Sequence, residues 1–255
     1  MSLDWTNRTV FVTGATAGFG EAIARAYAKL GARLILCGRR QDRLATLAAE
    51  LGVPCHLLVL DVRDRAAVEA AIAALPAPFD AIDVLVNNAG LALGVAPAQD
   101  SSLDDWENMI DTNVKGLMSV TRAVLPGMVE RDQGHIVNMS SIAGTYPYPG
   151  GNAYGASKAA VSQFSLNLLA DLVKTRVRVT NIEPGLCGGS EFSLVRYKGD
   201  AEAAAKVYAG TEPLTSEDVA EAVVWATCLP AHVNINRIEM MPTCQAPAGL
   251  TVHRS

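Results

Sequence analysis

Tyr154 and Lys158 stand four residues apart in a segment that reads HIVNMSSIAGTYPYPGGNAYGASKAAVSQF. From residue 152 the pattern is helical, and residues at that spacing project from one helix face. Upstream, residues 135–139 form a short apolar, β-rich run, bounded by Gly134 and by a Ser/Gly/Pro-rich loop. That run reads as a buried strand with Ser140 and Ser141 at its C-terminal end. A phenol, an ammonium and a hydroxyl converging there would make an acid/base set. The phenol exchanges a proton. Its ordinary pKa of about 10 is too high for a base near neutrality, and a neighbouring cation would favour the phenolate by Coulomb attraction. The Ser141 hydroxyl would hydrogen-bond an oxygen gaining charge, with Ser140 facing the opposite way in an extended segment. Tyr146 and Tyr148 flank the same loop, but neither has a lysine four residues on. They are expected to line the pocket or pack beneath it.

A Tyr–Lys pair at helical spacing is common by chance, so the positioning elements decide the matter. Residues 8–13 (RTVFVT) read as a first strand that runs into GATAGFG, with Gly14, Gly18 and Gly20, and then into the helical EAIARAYAKLG. Strand, glycine-rich turn and helix together aim backbone N–H groups and a helix N-terminus at a phosphate. The spacing departs from the usual GxGxxG dinucleotide fingerprint. A second strand at 33–37 ends in Gly38-Arg39-Arg40, with no acid before Asp42. An acid at this place binds a ribose 2′-hydroxyl, whereas arginine accommodates a 2′-phosphate through paired hydrogen bonds. The expected cofactor is therefore NADP(H) rather than NAD(H). The alternative, two solvated arginines opening a helix, puts cations where the macrodipole disfavours them.

Further strands at 56–60 and 82–86 end in Asp61-Val62 and Asn87-Asn88-Ala89-Gly90, and a helix at 111–129 carries Asn113. Taken with TGATAGFG at 13–20, Ser141, Tyr154, Lys158 and Pro184-Gly185, these motifs resemble the short-chain dehydrogenase/reductase family in type, order and spacing. The resemblance covers nearly the whole chain. Stretches such as NNAGLALG, IEPGLCGGSEF, LPAHVNIN and AGLTVHRS are similar to bacterial NADP-dependent 3-hydroxy acid dehydrogenases, with sulfoacetaldehyde reductases close by. The resemblance implies a catalytic set of Asn113, Ser141, Tyr154 and Lys158, with Lys158 also on the nicotinamide ribose. It implies cofactor contacts at Gly14, Thr16, Gly18, Phe19, Gly20, Arg39, Arg40, Asp61, Val62, Asn87, Ala89, Gly90, Tyr154, Lys158, Pro184, Gly185 and Leu186. Asp61 would meet the adenine amino group, its alternative role being to cap the helix beginning near Asp64. Asn113 would hold a water linked to Lys158, or be a buried amide satisfied by backbone groups. Where the family continues Pro-Gly with a nearby threonine, CGGS intervenes here and displaces Ser190 by one position.

The chain has 255 residues, 50% hydrophobic but only 5% aromatic, which suits one α/β domain with an aliphatic core. Seven strands alternate with helices, the last at 235–241, implying parallel crossovers and a sheet covered on both faces. This is a single doubly wound Rossmann-type domain over 1–255, and the resemblance implies strand order 3-2-1-4-5-6-7. The net charge of −5 argues against nucleic-acid or anionic-membrane partners. Five scattered cysteines favour a reduced, cytoplasmic setting. No metal is expected, since neither the histidines nor the cysteines have ligand spacing.

Gly188 and Gly189 suggest a mobile entrance, and 188–210 reads as a lid. A small anionic carbonyl or hydroxy-acid substrate needs a cation. The lid offers Arg196, Lys198 and Lys206, and the tail at 242–255 offers His253 and Arg254. Arg196 and Arg254 are the chosen candidates, with Ser141 and Tyr148 beside them. The tail is expected to wrap onto another subunit, and the helices at 111–129 and 152–172 are apolar around enough of their circumference to form subunit interfaces. The resemblance implies a homotetramer, a dimer of dimers. The expected activity interconverts a small 3-hydroxy acid and its carbonyl form. A sulfoacetaldehyde reductase and a non-catalytic NADP(H)-binding regulator stay open as alternatives.

Overall fold

A computed structural model of the chain describes residues 4–247. The seven strands are β1 (Thr9–Thr13), β2 (Arg33–Gly38), β3 (Cys55–Val59), β4 (Val84–Asn87), β5 (Gly134–Met139), β6 (Val177–Pro184) and β7 (Arg237–Met240). They form one sheet of order β3-β2-β1-β4-β5-β6-β7, every pairing parallel. The order reverses between β1 and β4, and a cleft opens beyond the strand ends at such a point.

The helices are α1 (Gly18–Lys29), α2 (Gln41–Leu51), α3 (Arg65–Ala73), α4 (Leu103–Ile110), α5 (Leu117–Glu130), α6 (Asn152–Asp171), α7 (Phe192–Arg196), α8 (Ala201–Lys206) and α9 (Ser216–Thr227). Alternation along the strands builds two cores. Val10 and Val12 of β1 and Leu34 and Leu36 of β2 meet α1 and α9 on one face. Phe11, Ile35, Leu85 and Ile136 meet α3, α5 and α6 on the other. Because these strands are buried on both faces, they read as continuous apolar runs.

The helix expected at 111–129 is not one regular element. It begins earlier, as α4, capped by the Ser102 hydroxyl accepting from Asp105 N–H. A π-helical turn, Asp111–Gly116, then carries Asn113 before α5 resumes. One residue per turn is added there, so the hydrophobic period runs on with its phase shifted and the break is hidden from pattern reading.

Candidate active site

The turn between β1 and α1 is built by glycine and by β4. Gly14 has φ +65°, and a Cβ there would lie 2.9 Å from Ala89 Cα. Asn88 locks the turn, its amide nitrogen donating to the carbonyls of Thr13 (3.0 Å) and Gly14 (3.1 Å). The Thr13 hydroxyl accepts in return from the Asn88 and Ala89 N–H groups. Two expected cofactor contacts prove to be packing residues. A Cβ on Gly20 would run into the Gly14 carbonyl, so Gly20 lets α1 sit close on its own turn rather than facing the cleft. Asn87 is buried, and its amide donates to Thr121 Oγ1 (2.8 Å) and Asn138 Oδ1 (2.9 Å). As the last residue of β4 it points into the sheet, opposite to Asn88, so Asn88, Ala89 and Gly90 form the cleft wall instead.

One cavity of about 720 Å³ joins the turn to the Tyr–Lys pair. Its walls include Gly14, Thr16, Gly18, Phe19, Arg39, Arg40, Asp61, Val62, Ala89, Gly90, Ser141, Tyr148, Tyr154, Lys158, Pro184, Gly185, Leu186 and Arg196. At one end Arg40 donates to Thr16 Oγ1 at 2.9 Å. Glu191 bridges Arg40 (2.8 Å) and Arg43 (2.9 Å). Asp61 is held below the usual carboxylate range, first by its hydrogen bonds with Arg63. The cap of α3 is Asp64, accepting from Ala67 N–H at 3.0 Å, which leaves Asp61 on the cavity wall.

At the other end Tyr154 and Lys158 are 9% and 7% exposed, and burial decides their chemistry. It pushes the Tyr154 phenol well above its ordinary value, against the pull of the Ser141 hydroxyl and the Arg196 guanidinium. Burial also brings Lys158 down to about 8. Burial, rather than the Coulomb pull expected from Lys158, sets the direction at Tyr154. The ammonium lies 5.8 Å from the phenol ring centroid and donates to the Met139 carbonyl at 2.8 Å. Ser141 Oγ accepts from Ala143 N–H (3.1 Å) and donates to the Pro184 carbonyl (3.4 Å). Ser140 turns the other way. Its hydroxyl donates to the Lys158 carbonyl at 2.7 Å and meets Ser162 Oγ at 2.9 Å, fixing α6 on the sheet.

Asn113 lies behind this end, not on the cavity wall. Its Oδ1 accepts from Leu91 N–H (2.8 Å), and its amide donates to the Leu91 carbonyl (2.9 Å) and Ser157 Oγ (3.0 Å). These contacts satisfy the amide and tie Leu91 to α6.

The segment expected as a lid lines the cavity through α7 and its flanks and through Val207 and Tyr208 after α8. Arg196 is anchored by the carbonyls of Gly94 (3.2 Å) and Gly150 (3.4 Å). Its guanidinium carbon lies 5.3 Å from the Tyr148 ring centroid and 5.7 Å from that of Tyr154. Lys198 pairs with Asp105 and Lys206 with Glu202, so among the described residues Arg196 is the lid cation that meets no carboxylate. The lid is more apolar than its composition suggests: Phe192 places its ring 5.8 Å from Tyr154, and Val195, Val207 and Tyr208 also face the cavity. Arg254 and His253 lie outside the described residues. Sequence reasoning missed Asn88, Glu191 and Gln245. Gln245 Oε1 accepts from Leu186 N–H at 2.7 Å, a contact between positions far apart in the chain.

A glycine-built anion turn, arginines beside it and a buried Tyr–Lys pair in one cleft define a nucleotide-linked oxidoreductase site. The profile of the short chain dehydrogenase family matches residues 8–195. The chain is 63% identical to the NADP-dependent 3-hydroxy acid dehydrogenase YdfG of Salmonella typhi, covering 96% of this chain and 99% of that one. It is 50% identical to a serine 3-dehydrogenase of Agrobacterium fabrum, covering 96% and 98%. Among solved structures, a closed form of serine dehydrogenase complexed with NADP+ superposes with a TM-score of 0.95 at 62% identity, over 97% of this chain and 100% of that one. This chain belongs to the short-chain dehydrogenase family.

Proposed function

We propose that this enzyme is an NADP(H)-dependent oxidoreductase of CH–OH groups that interconverts a small 3-hydroxy acid, of the serine or 3-hydroxypropionate type, with its carbonyl form. The observation that carries the substrate class is Arg196, a lid cation paired with no described carboxylate and held over the Tyr154 and Tyr148 rings. A guanidinium in that setting suits a carboxylate. The groove fits NADP(H): the glycine turn admits a pyrophosphate, Arg39 and Arg40 suit a 2′-phosphate, and Tyr154 and Lys158 close the far end.

When bound, the cofactor supplies or accepts the hydride. The chain's own residues handle the rest. Burial favours the protonated phenol, so in reduction Tyr154 is the acid that protonates the substrate oxygen; in the reverse direction it must first release that proton to solvent before it accepts the one from the hydroxyl. Ser141 would turn its hydroxyl from the Pro184 carbonyl toward the same oxygen and stabilise charge developing there. Lys158 places its ammonium 5.8 Å from the phenol ring centroid and would hydrogen-bond the cofactor ribose. Asn113 acts through Leu91 and Ser157, as a positioning residue.

Among the described residues no helix is long and apolar enough to cross a membrane. Exposed Met118 on α5 and Leu166 on α6 support helical interfaces, and with them a dimer of dimers. The functional reading is tested by comparing NADPH oxidation with carboxylated, sulfonated and uncharged short aldehydes, for wild type and Arg196→Gln. Preference for the carboxylated aldehyde, with KM raised about tenfold or more in the variant, is the expected result. A sulfonated aldehyde turning over fastest would make the enzyme a sulfonate reductase. Equal rates for the uncharged aldehyde would remove Arg196 from recognition, and binding without turnover of any substrate would fit a regulator.

A further inference from the structure

Glu191 opens the lid, as the residue preceding α7, yet its carboxylate lies across the groove on Arg40 and Arg43. Its two oxygens are divided between the two guanidiniums at 2.8 and 2.9 Å, and these pairs hold it below the usual carboxylate range. Arg40 is the residue whose other side grips Thr16 on the glycine turn, so one guanidinium links the phosphate end to the lid. The neighbouring Ser190 lies beside the same turn, where a Cβ on Gly18 would come 3.1 Å from its Cβ. A carboxylate spread over two arginines presents a pair of anionic acceptor oxygens as a phosphate does, with a smaller charge.

We propose that Glu191 is an internal competitor for the 2′-phosphate of NADP(H), a proposal that rests on the assignment of that cofactor to this groove. Arrival of the 2′-phosphate exchanges one anion for another on Arg40 and frees the head of the lid. Return of the carboxylate helps expel the spent cofactor. The exchange reaches the substrate end because the next residues of the lid include Phe192, against Tyr154, and Arg196, over it. The ion pairs are about 40% exposed, so they are weak enough to exchange. A cofactor lacking the 2′-phosphate leaves the latch in place.

The test is titration calorimetry of the full chain with NADP+ and with NAD+, for wild type, Glu191→Gln and Arg40→Ala. Glu191→Gln is expected to bind NADP+ about threefold to tenfold more tightly while its affinity for NAD+ stays within about twofold. Unchanged or weaker binding of NADP+, or equal tightening toward both cofactors, would overturn the proposal. Arg40→Ala separates this from the cofactor assignment. A loss of NADP+ affinity there supports that assignment, and an unaltered NADP+ affinity would end it whatever Glu191 does. Should Glu191→Gln fail to fold, Arg43→Gln loosens the same latch away from the cavity wall and carries the same expectation.

Discussion

The two ends of the cleft are held by different physics. At the catalytic end Tyr154, Lys158 and Ser141 are under 10% exposed, their backbones fixed by β5 and α6, and desolvation sets their proton affinities. At the phosphate end Arg40, Arg43 and Glu191 are roughly 40% exposed and held by ion pairs that water can replace. Proton transfer needs a fixed geometry and an environment that holds a phenol protonated. Capturing and releasing a multiply charged cofactor needs contacts that exchange. Substitutions at the first end should therefore change rate, and at the second affinity.

Ser141→Ala should lower kcat about 10²-fold with little change in NADPH affinity, measured by steady-state kinetics beside a binding titration. A change confined to KM would break the contrast. Arg39→Asp combined with Arg40→Ala should raise the KM for NADPH by roughly ten- to a hundredfold and leave kcat at saturation close to wild type. An unchanged KM would reassign the phosphate end. A smaller effect follows from Lys158, whose charge is fully present below pH 8 and lost above it, because its pKa is lowered to about 8. The reductive kcat should fall severalfold as pH rises through about 8, and a flat profile across that range would show that the buried ammonium contributes nothing. The smallest kinetic change is expected for Asn87→Ala. It removes the donor to Asn138 Oδ1 and Thr121 Oγ1, so thermal unfolding should show a loss of about 1–3 kcal/mol while NADP+ affinity holds. Weakened cofactor binding without loss of stability would return Asn87 to the cleft wall.

What could be read from the sequence divides along the same line. The glycine turn and the Tyr–Lys face rest on local spacing, so they were visible in the residues; the strand order was implied by the family resemblance, and the sheet carries it as expected. Contacts made across the chain were not visible. Glu191 meets Arg40 from 151 positions away, and no periodicity marks it. The π turn at Asn113 shifts the phase of a helix without leaving an apolar gap. Asn87 and Asn88 are the same residue type side by side, and only the direction of β4 decides which faces the cleft. Burial also acts on Tyr154 in the direction opposite to the expected pull of Lys158, because a Coulomb argument from two residues omits the surrounding apolar walls.

The central claim is that the Tyr154 phenol carries the proton while other residues hold the cofactor. Tyr154→Phe removes one oxygen from a buried ring, and rapid mixing of its NADPH complex with a carboxylated aldehyde reads the chemical step alone. The account predicts NADPH binding within about twofold of wild type and a single-turnover rate lower by about 10³-fold. Hydride transfer at a rate near wild type would contradict it.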